Sequence, residues 1–225
     1  MLKVIITGAN GFVGQGALIE CLKSPKVEKV LSVTRRSLNR QHDKLTELII
    51  PDFKEFKEND ERLKDYNTCI YCATKTSNGI PEDEYRNFTH DIPIHFAKSL
   101  GINKDMTFIY ISGAGANINS RLMWARVKAE TENDLLKMKG KEFKDVYCVR
   151  PSIMKHSNEQ QNVSGMQKFY SACYWIGRPF GGANLIEEVG KTFIQLSLNG
   201  YEKEILESND IKICSDKYDD LINKE

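Results

Sequence analysis

The chain opens on an apolar, β-branched run at residues 3–7 that leads straight into Gly8-Ala9-Asn10-Gly11-Phe12-Val13-Gly14. A short run of this kind reads as a buried strand. The glycines that follow it narrow the choice of fold. Gly8 permits a tight turn, Gly11 a close backbone approach, and Gly14 close packing of helix on strand. Helical spacing of Phe12, Leu18, Ile19 and Leu22 comes next, and Pro25 stops it. Strand, glycine turn and helix in this order are the setting of a dinucleotide site. The pyrophosphate there rests on free N–H groups at the positive end of the helix.

The alternation continues. Strands are expected over residues 27–34, 45–50, 68–73, 106–112 and 146–150, with Pro51 and Pro151 closing the third and the sixth. Helices are expected over 53–66, 81–100 and 120–139. The second of these opens with Glu82, Asp83 and Glu84, which suit a helix N-terminus, and Pro93 should kink it or split it. Strands alternating with helices imply an α/β fold: a Rossmann-type, doubly wound parallel sheet with helices on both faces. After Pro151 the pattern loosens into a polar loop (157–164), an aromatic helix (166–176), an amphipathic helix (185–198), a last strand (205–214) and a charged tail that frays. The expectation is one domain over 1–225. Its dinucleotide-binding core is 1–150, and 151–225 forms a small C-terminal lid on the substrate side.

Charge balance narrows the partners. Lys plus Arg number 32 and Asp plus Glu 31, a net of +1, so nothing in the charge favours nucleic acid or an anionic membrane. No apolar run reaches membrane-spanning length. The opening apolar stretch is too brief for a signal peptide, so a cytoplasmic location is expected. Six cysteines are too few for a disulfide scaffold. Cys69 and Cys72 stand three apart in one strand and point to opposite faces, so no metal site is expected.

The loop spacing, GxxGxxG with Thr7 before it, resembles that of the short-chain dehydrogenase/reductase superfamily, in its extended and atypical, epimerase-like and NmrA-like members. Other segments carry the same resemblance, which covers roughly residues 2–200. They are Asp52-Phe53, Cys72-Ala73-Thr74, Ile111-Ser112-Gly113-Ala114 and Arg150-Pro151-Ser152. The resemblance implies cofactor contacts at Gly8, Asn10, Gly11, Phe12, Val13, Gly14, Asp52, Phe53, Ala73, Thr74, Lys128 and Pro151. Where an NAD site ends its second strand with an acid, this chain has Arg35 and Arg36. Guanidinium forks suit a 2′-phosphate, so NADP(H) is expected over NAD(H).

The superfamily pairs Tyr-x-x-x-Lys on a helix with a serine on the preceding strand. Ser112 and Lys128 are in place, but Trp124 holds the tyrosine position. An indole N–H donates only and cannot shuttle a proton. Tyr71 and Tyr110 read as core, and His90 and His95 as satisfied or exposed. Tyr85 and Lys75 remain candidates to face the pocket. Met166, Phe169, Tyr170, Tyr174, Trp175 and Phe180 read first as packing among short helices, with an apolar pocket or a partner surface as the alternative. Whether the chain is an enzyme stays open. One reading is an NADP(H)-dependent oxidoreductase on a small carbonyl or alcohol substrate. Another is a non-catalytic NADP(H)-binding sensor or scaffold. A nucleotide-sugar epimerase ranks third, because that chemistry needs the absent tyrosine. Helices flanking such sheets often pair across a two-fold axis, which leaves a homodimer open.

Overall fold

The structure is a computed structural model and describes residues 1–161 and 163–224. The opening run forms β1 (Leu2–Thr7), and the glycines turn it into α1 (Phe12–Lys23). Then follow β2 (Val27–Thr34), β3 (Leu45–Ile49) and β4 (Thr68–Tyr71). Next come α2 (Glu82–Arg86), α3 (Ile92–Ser99), β5 (Asn103–Ile111), α4 (Met123–Leu136) and β6 (Phe143–Val149). The remainder holds β7 (Ile153–Lys155), α5 (Gly165–Ala172), α6 (Tyr174–Gly177) and β8 (Ala183–Leu185). It ends with α7 (Ile186–Asn199), β9 (Ile205–Leu206) and α8 (Ser208–Asn223).

Seven strands form one sheet in the order β3-β2-β1-β4-β5-β6-β9, and every pairing is parallel. Strand order reverses between β1 and β4. A crevice opens there at the carboxyl ends of the strands, where sheets of this class hold their ligands. Alternate strand residues feed two cores. Val4, Ile6, Ile70 and Ile109 pack with α1, α7 and α8, whereas Ile5, Tyr71, Phe108 and Tyr110 pack with α3 and α4 residues. Cys69 joins the second core and Cys72 the first, so the two thiols lie on opposite faces of the sheet.

Three expectations need correction. Residues 53–66 are not a helix but two short 3-10 turns, Phe53–Glu55 and Glu61–Leu63. Asp52 and Asp60 start them by accepting from the N–H of Lys54 and Arg62. Asn59 and Asp65 then adopt left-handed backbone (φ 55° and 67°), which no helix continues through. The segment 81–100 is split, one of the two outcomes expected at Pro93. A π turn over Asn87–Asp91 separates α2 from α3. Pro93 has no N–H to offer the carbonyl of Thr89. That carbonyl instead accepts from Tyr110 Oη and Thr131 Oγ1, both at 3.0 Å. Three pairs then tie α2 and the π turn to α4 at four-residue steps: Glu82–Arg126, Arg86–Glu130 and His90–Asp134.

The strand expected over 205–214 is only Ile205–Leu206, and α8 takes up both the rest and the tail expected to fray. Buried Ile211, Cys214 and Tyr218 recur at helical spacing and hold it down. Finally, the looser C-terminal part contains a small parallel pair, β7 with β8, that its short length hid.

Candidate functional site

The crevice beside the glycine loop is a cleft of about 600 Å³. Four segments singled out in the sequence line it: Gly8 to Gly11, Arg35 with Arg36, Asp52 with Phe53, and Ala73 with Thr74. Main chain meets main chain here. Gly8 has φ +68°, and a Cβ on it would stand 2.7 Å from backbone atoms of Cys72 and Ala73. A Cβ on Gly14 would stand 2.2 Å from the Gly8 carbonyl oxygen. Thr7 Oγ1 accepts from the N–H groups of Cys72 and Ala73, each at 3.1 Å, and joins the ends of β1 and β4. Gly11 precedes α1, and no side chain caps the helix. Its first N–H groups therefore face the loop ready for an anion.

The predicted contact residues divide. Asn10 Nδ2 donates to Thr34 Oγ1 at 3.0 Å and to the Arg36 carbonyl at 2.9 Å, which ties the loop to the end of β2. Arg35 and Arg36 are exposed on the cleft, and among the described residues neither guanidinium makes an ion pair. Asp52 is exposed and caps its turn, while Phe53 is buried against Phe56 and Phe96 and serves as both core and wall. Thr74 is exposed at the rim. Phe12, Val13 and Gly14 lie outside the lining of the cleft. The Phe12 carbonyl accepts from Gln160 Nε2 at 2.7 Å, Val13 packs on the core, and Gly14 backs the loop.

Ser112, Lys128, Trp124 and Pro151 do not line that cleft; they meet at a second corner, around the loop 112–115. The Ser112 N–H donates to the Val149 carbonyl at 2.8 Å, while its buried Oγ has no partner among the described residues. The Lys128 Nζ donates to the Ile111 carbonyl at 3.4 Å and lies 5.5 Å from the centre of the Tyr110 ring. Burial pulls this ammonium down to about 8, and nearby Glu132 acts against that fall. The position of a Cβ on Gly113 is 3.7 Å from Lys128 Cδ and 3.9 Å from Trp124 Cζ3; one on Gly115 is 3.6 Å from Trp124 Cη2. Trp124 thus packs on the glycine-containing loop beside Lys128. The Pro151 carbonyl accepts from the Ala114 N–H at 3.2 Å.

None of the other tyrosines on these elements fills the role lost at Trp124. Tyr71, Tyr85 and Tyr110 are all buried, and burial pushes each phenol up. His90 is held by Asp91 and Asp134, and His95 by the Phe56 carbonyl. Lys75 lines the cleft, paired with Glu84 at 2.6 Å. The C-terminal aromatics correct the packing expectation. Tyr174 is buried, but Met166, Phe169, Tyr170, Trp175 and Phe180 are exposed. Sequence reasoning missed Glu132, which is buried and paired with the partly buried Arg150. Its only signal was a place one helical turn after Lys128.

No protein-family model matches the chain. It is similar to "Protein FMP52, mitochondrial" of Candida glabrata, 27% identical over 211 residues that cover 88% of this chain and 86% of that protein. The Saccharomyces cerevisiae protein of the same name is 25% identical over 215 residues, 89% of each chain. These names overturn the cytoplasmic expectation, since the relatives are mitochondrial. Among solved structures, Gre2 of Candida albicans in complex with NADPH superposes with a TM-score of 0.69 at 14% identity, covering 98% of this chain and 84% of that one. UDP-N-acetylglucosamine 4-epimerase of Methanobrevibacter ruminantium has a TM-score of 0.64 at 17% identity, covering 92% and 76%. A short chain dehydrogenase family protein of Francisella tularensis has a TM-score of 0.67 at 12% identity, covering 93% and 98%. The chain has the Rossmann-type fold of the short-chain dehydrogenase/reductase proteins, with epimerase-like members among its structural neighbours.

Proposed function

We propose that this chain is an NADP(H)-dependent oxidoreductase of the atypical short-chain class, acting on a small carbonyl or alcohol. The observation that carries the reading is the pairing of two corners. A glycine-built cleft bears two arginines that make no ion pair among the described residues, and at the second corner a Ser112 hydroxyl with no partner among them lies on the loop that Lys128 of α4 packs against.

The residues fit the dinucleotide. A side chain at Gly8 would run into the Cys72–Ala73 main chain that walls the cleft, and the first N–H groups of α1 carry no side-chain cap. Arg35 and Arg36 would hold the 2′-phosphate through charge-assisted bonds. Lys128 would hold the nicotinamide ribose. Bound NADP(H) supplies hydride exchange at the nicotinamide C4. Ser112 Oγ–H donates to the substrate oxygen, orienting and polarising it. With its Nζ at about 8, Lys128 carries a proton that it can give up or take near neutral pH. Trp124 exchanges none and closes one side of the corner. The mitochondrial names of the fungal relatives support a mitochondrial setting.

Trp124 also favours a second reading, a sensor that binds NADP(H) without turnover. Calorimetric titration with NADPH and then NADH, on wild type and on Arg35→Ala/Arg36→Ala, tests the shared part. Preference for NADPH, reduced about tenfold or more in the double variant, supports it; binding of neither nucleotide sinks it. NADPH oxidation with a panel of small aldehydes and ketones then divides enzyme from sensor.

A further inference from the structure

One interior carboxylate has no part in the chemistry above. Glu132 is 1% exposed and lies one helical turn beyond Lys128 on α4. The Arg150 guanidinium grips both its oxygens, Nε to Oε1 at 2.8 Å and Nη2 to Oε2. Arg150 Nη1 also donates to Glu207, the residue before α8, at 3.0 Å. Its own N–H donates to the Leu206 carbonyl at 2.8 Å. One guanidinium thus joins α4, the end of β6 and the start of α8, directly before Pro151. A charge pair this deep is an expensive way to hold elements together, because desolvation offsets much of the attraction. Apolar side chains of similar size often do as well. Its position beside Lys128 gives it another use.

We propose that the Arg150–Glu132 pair is the positioning device of Lys128. It locks α4 against the end of β6 and fixes the carboxylate one helical turn from Lys128, holding a charged lysine beside Ser112. Its value for turnover rests on the role given to Lys128 above; the arrangement of charges does not.

The groups that act on the ammonium come from four elements. They are Cys72 just after β4, the Tyr110 ring and Ile111 carbonyl from β5, Cys148 from β6, and Glu132 from α4 itself. Burial pushes both thiols up, so they stay protonated and neutral. Glu132 is the anion among these groups. Replacing it by glutamine strips the ammonium of its counter-charge and leaves Arg150 as a second cation offset only by the more exposed Glu207. Both changes act in the same direction, against protonated Lys128.

The test follows Lys128 directly, with neither substrate nor cofactor. Competitive labelling with acetic anhydride across a pH series, read by mass spectrometry of the Lys128 peptide, gives the midpoint at which the amine becomes reactive. The wild-type midpoint is expected near 8. Glu132→Gln lowers it by about one pH unit. Arg150→Met, which leaves the carboxylate alone with the lysine, raises it. If either single variant fails to fold, Glu132→Met/Arg150→Leu replaces both charges with apolar groups and still lowers the midpoint. An unmoved midpoint in folded variants overturns the proposal and reduces the pair to a structural tie. NADPH titration of wild type is read separately. Its failure removes the functional reading and leaves the labelling shifts standing.

Discussion

At the glycine end of the site, backbone lies against backbone; at the Ser112 corner, side chains make the contacts. Gly8 and Gly14 leave no room for even a methyl group beside the neighbouring main chain. Around Ser112 the geometry comes from Lys128, Trp124 and the buried Arg150–Glu132 pair, all side chains on elements that would form without them. A site built from backbone fixes residue identity, because only one residue type fits. A site built from side chains allows exchange. The helix α4 continues whether position 124 holds a phenol or an indole, so the chemistry can change while the fold stands.

The largest expected effect tests the glycine end. Gly8→Ala places a Cβ 2.7 Å from three backbone atoms and forces a non-glycine residue to φ +68°. Left-handed backbone costs about 1–2 kcal/mol and overpacking about 1–3 kcal/mol, so a loss of about 2–5 kcal/mol is expected. Urea unfolding measures it, and NADPH binding should vanish with it. A loss below about 1 kcal/mol would show that the loop gives way freely, and the contrast between the two ends would fall.

The same contrast explains how far the sequence could be read. The glycine loop and the strands of the sheet were legible because each is dictated locally, by a glycine requirement or by a continuous apolar run. Residues 205–214 misled because Ile205, Ile211 and Ile213 read as β-branched strand, while burial at Ile211, Cys214 and Tyr218 follows a helical period. The turns after Asp52 and Asp60 depend on aspartate side chains that outcompete a helix for backbone N–H groups. Pro93 announced a disruption but not its form, since the π turn is secured by hydroxyls from Tyr110 and Thr131, distant in sequence. In the candidate site, Ser112 and Lys128 were picked out by the resemblance to the short-chain dehydrogenase/reductase pattern. Glu132 was not, because its partner Arg150 comes from another element and nothing local marks either charge as buried.

A smaller effect probes the lysine. With its folded value lowered to about 8 from an ordinary 10.5, Lys128 sheds its proton in the folded protein before it does in the unfolded chain. Between about pH 8 and 10.5 the unfolded state binds more protons at this group, so its contribution to stability rises with pH. Lys128→Met removes that rise. Urea midpoints at pH 7.5 and pH 10 (roughly the ends of the window set by linkage) should show wild type gaining on the variant at the higher pH. Other groups titrate in both proteins and cancel in the difference. Equal pH profiles would mean that the ammonium is as well solvated as a surface lysine, and the corner would lose its claim to a tuned proton.

The smallest effect carries the opposite sign. Ser112 Oγ is buried without a hydrogen-bond partner among the described residues, and an unpaired buried hydroxyl costs about 1–3 kcal/mol of desolvation. Ser112→Ala removes that penalty and leaves a gap of one oxygen atom. The strand end keeps its place through the Ser112 N–H bond to the Val149 carbonyl, which the substitution spares. Lost packing around the oxygen offsets part of the relief, so the variant should match wild type or exceed it by up to about 1 kcal/mol in urea unfolding. NADPH affinity should change little, because the cleft lining does not include this residue. Turnover on any carbonyl that wild type reduces should fall by about a hundredfold, the usual scale for removing a donor aimed at a reacting oxygen. A stabilised, NADPH-binding and inactive variant would mark Ser112 as a residue kept for chemistry at the expense of stability. A clearly destabilised one would show a structural role for the hydroxyl, and the Ser112 corner would then join the glycine end as architecture.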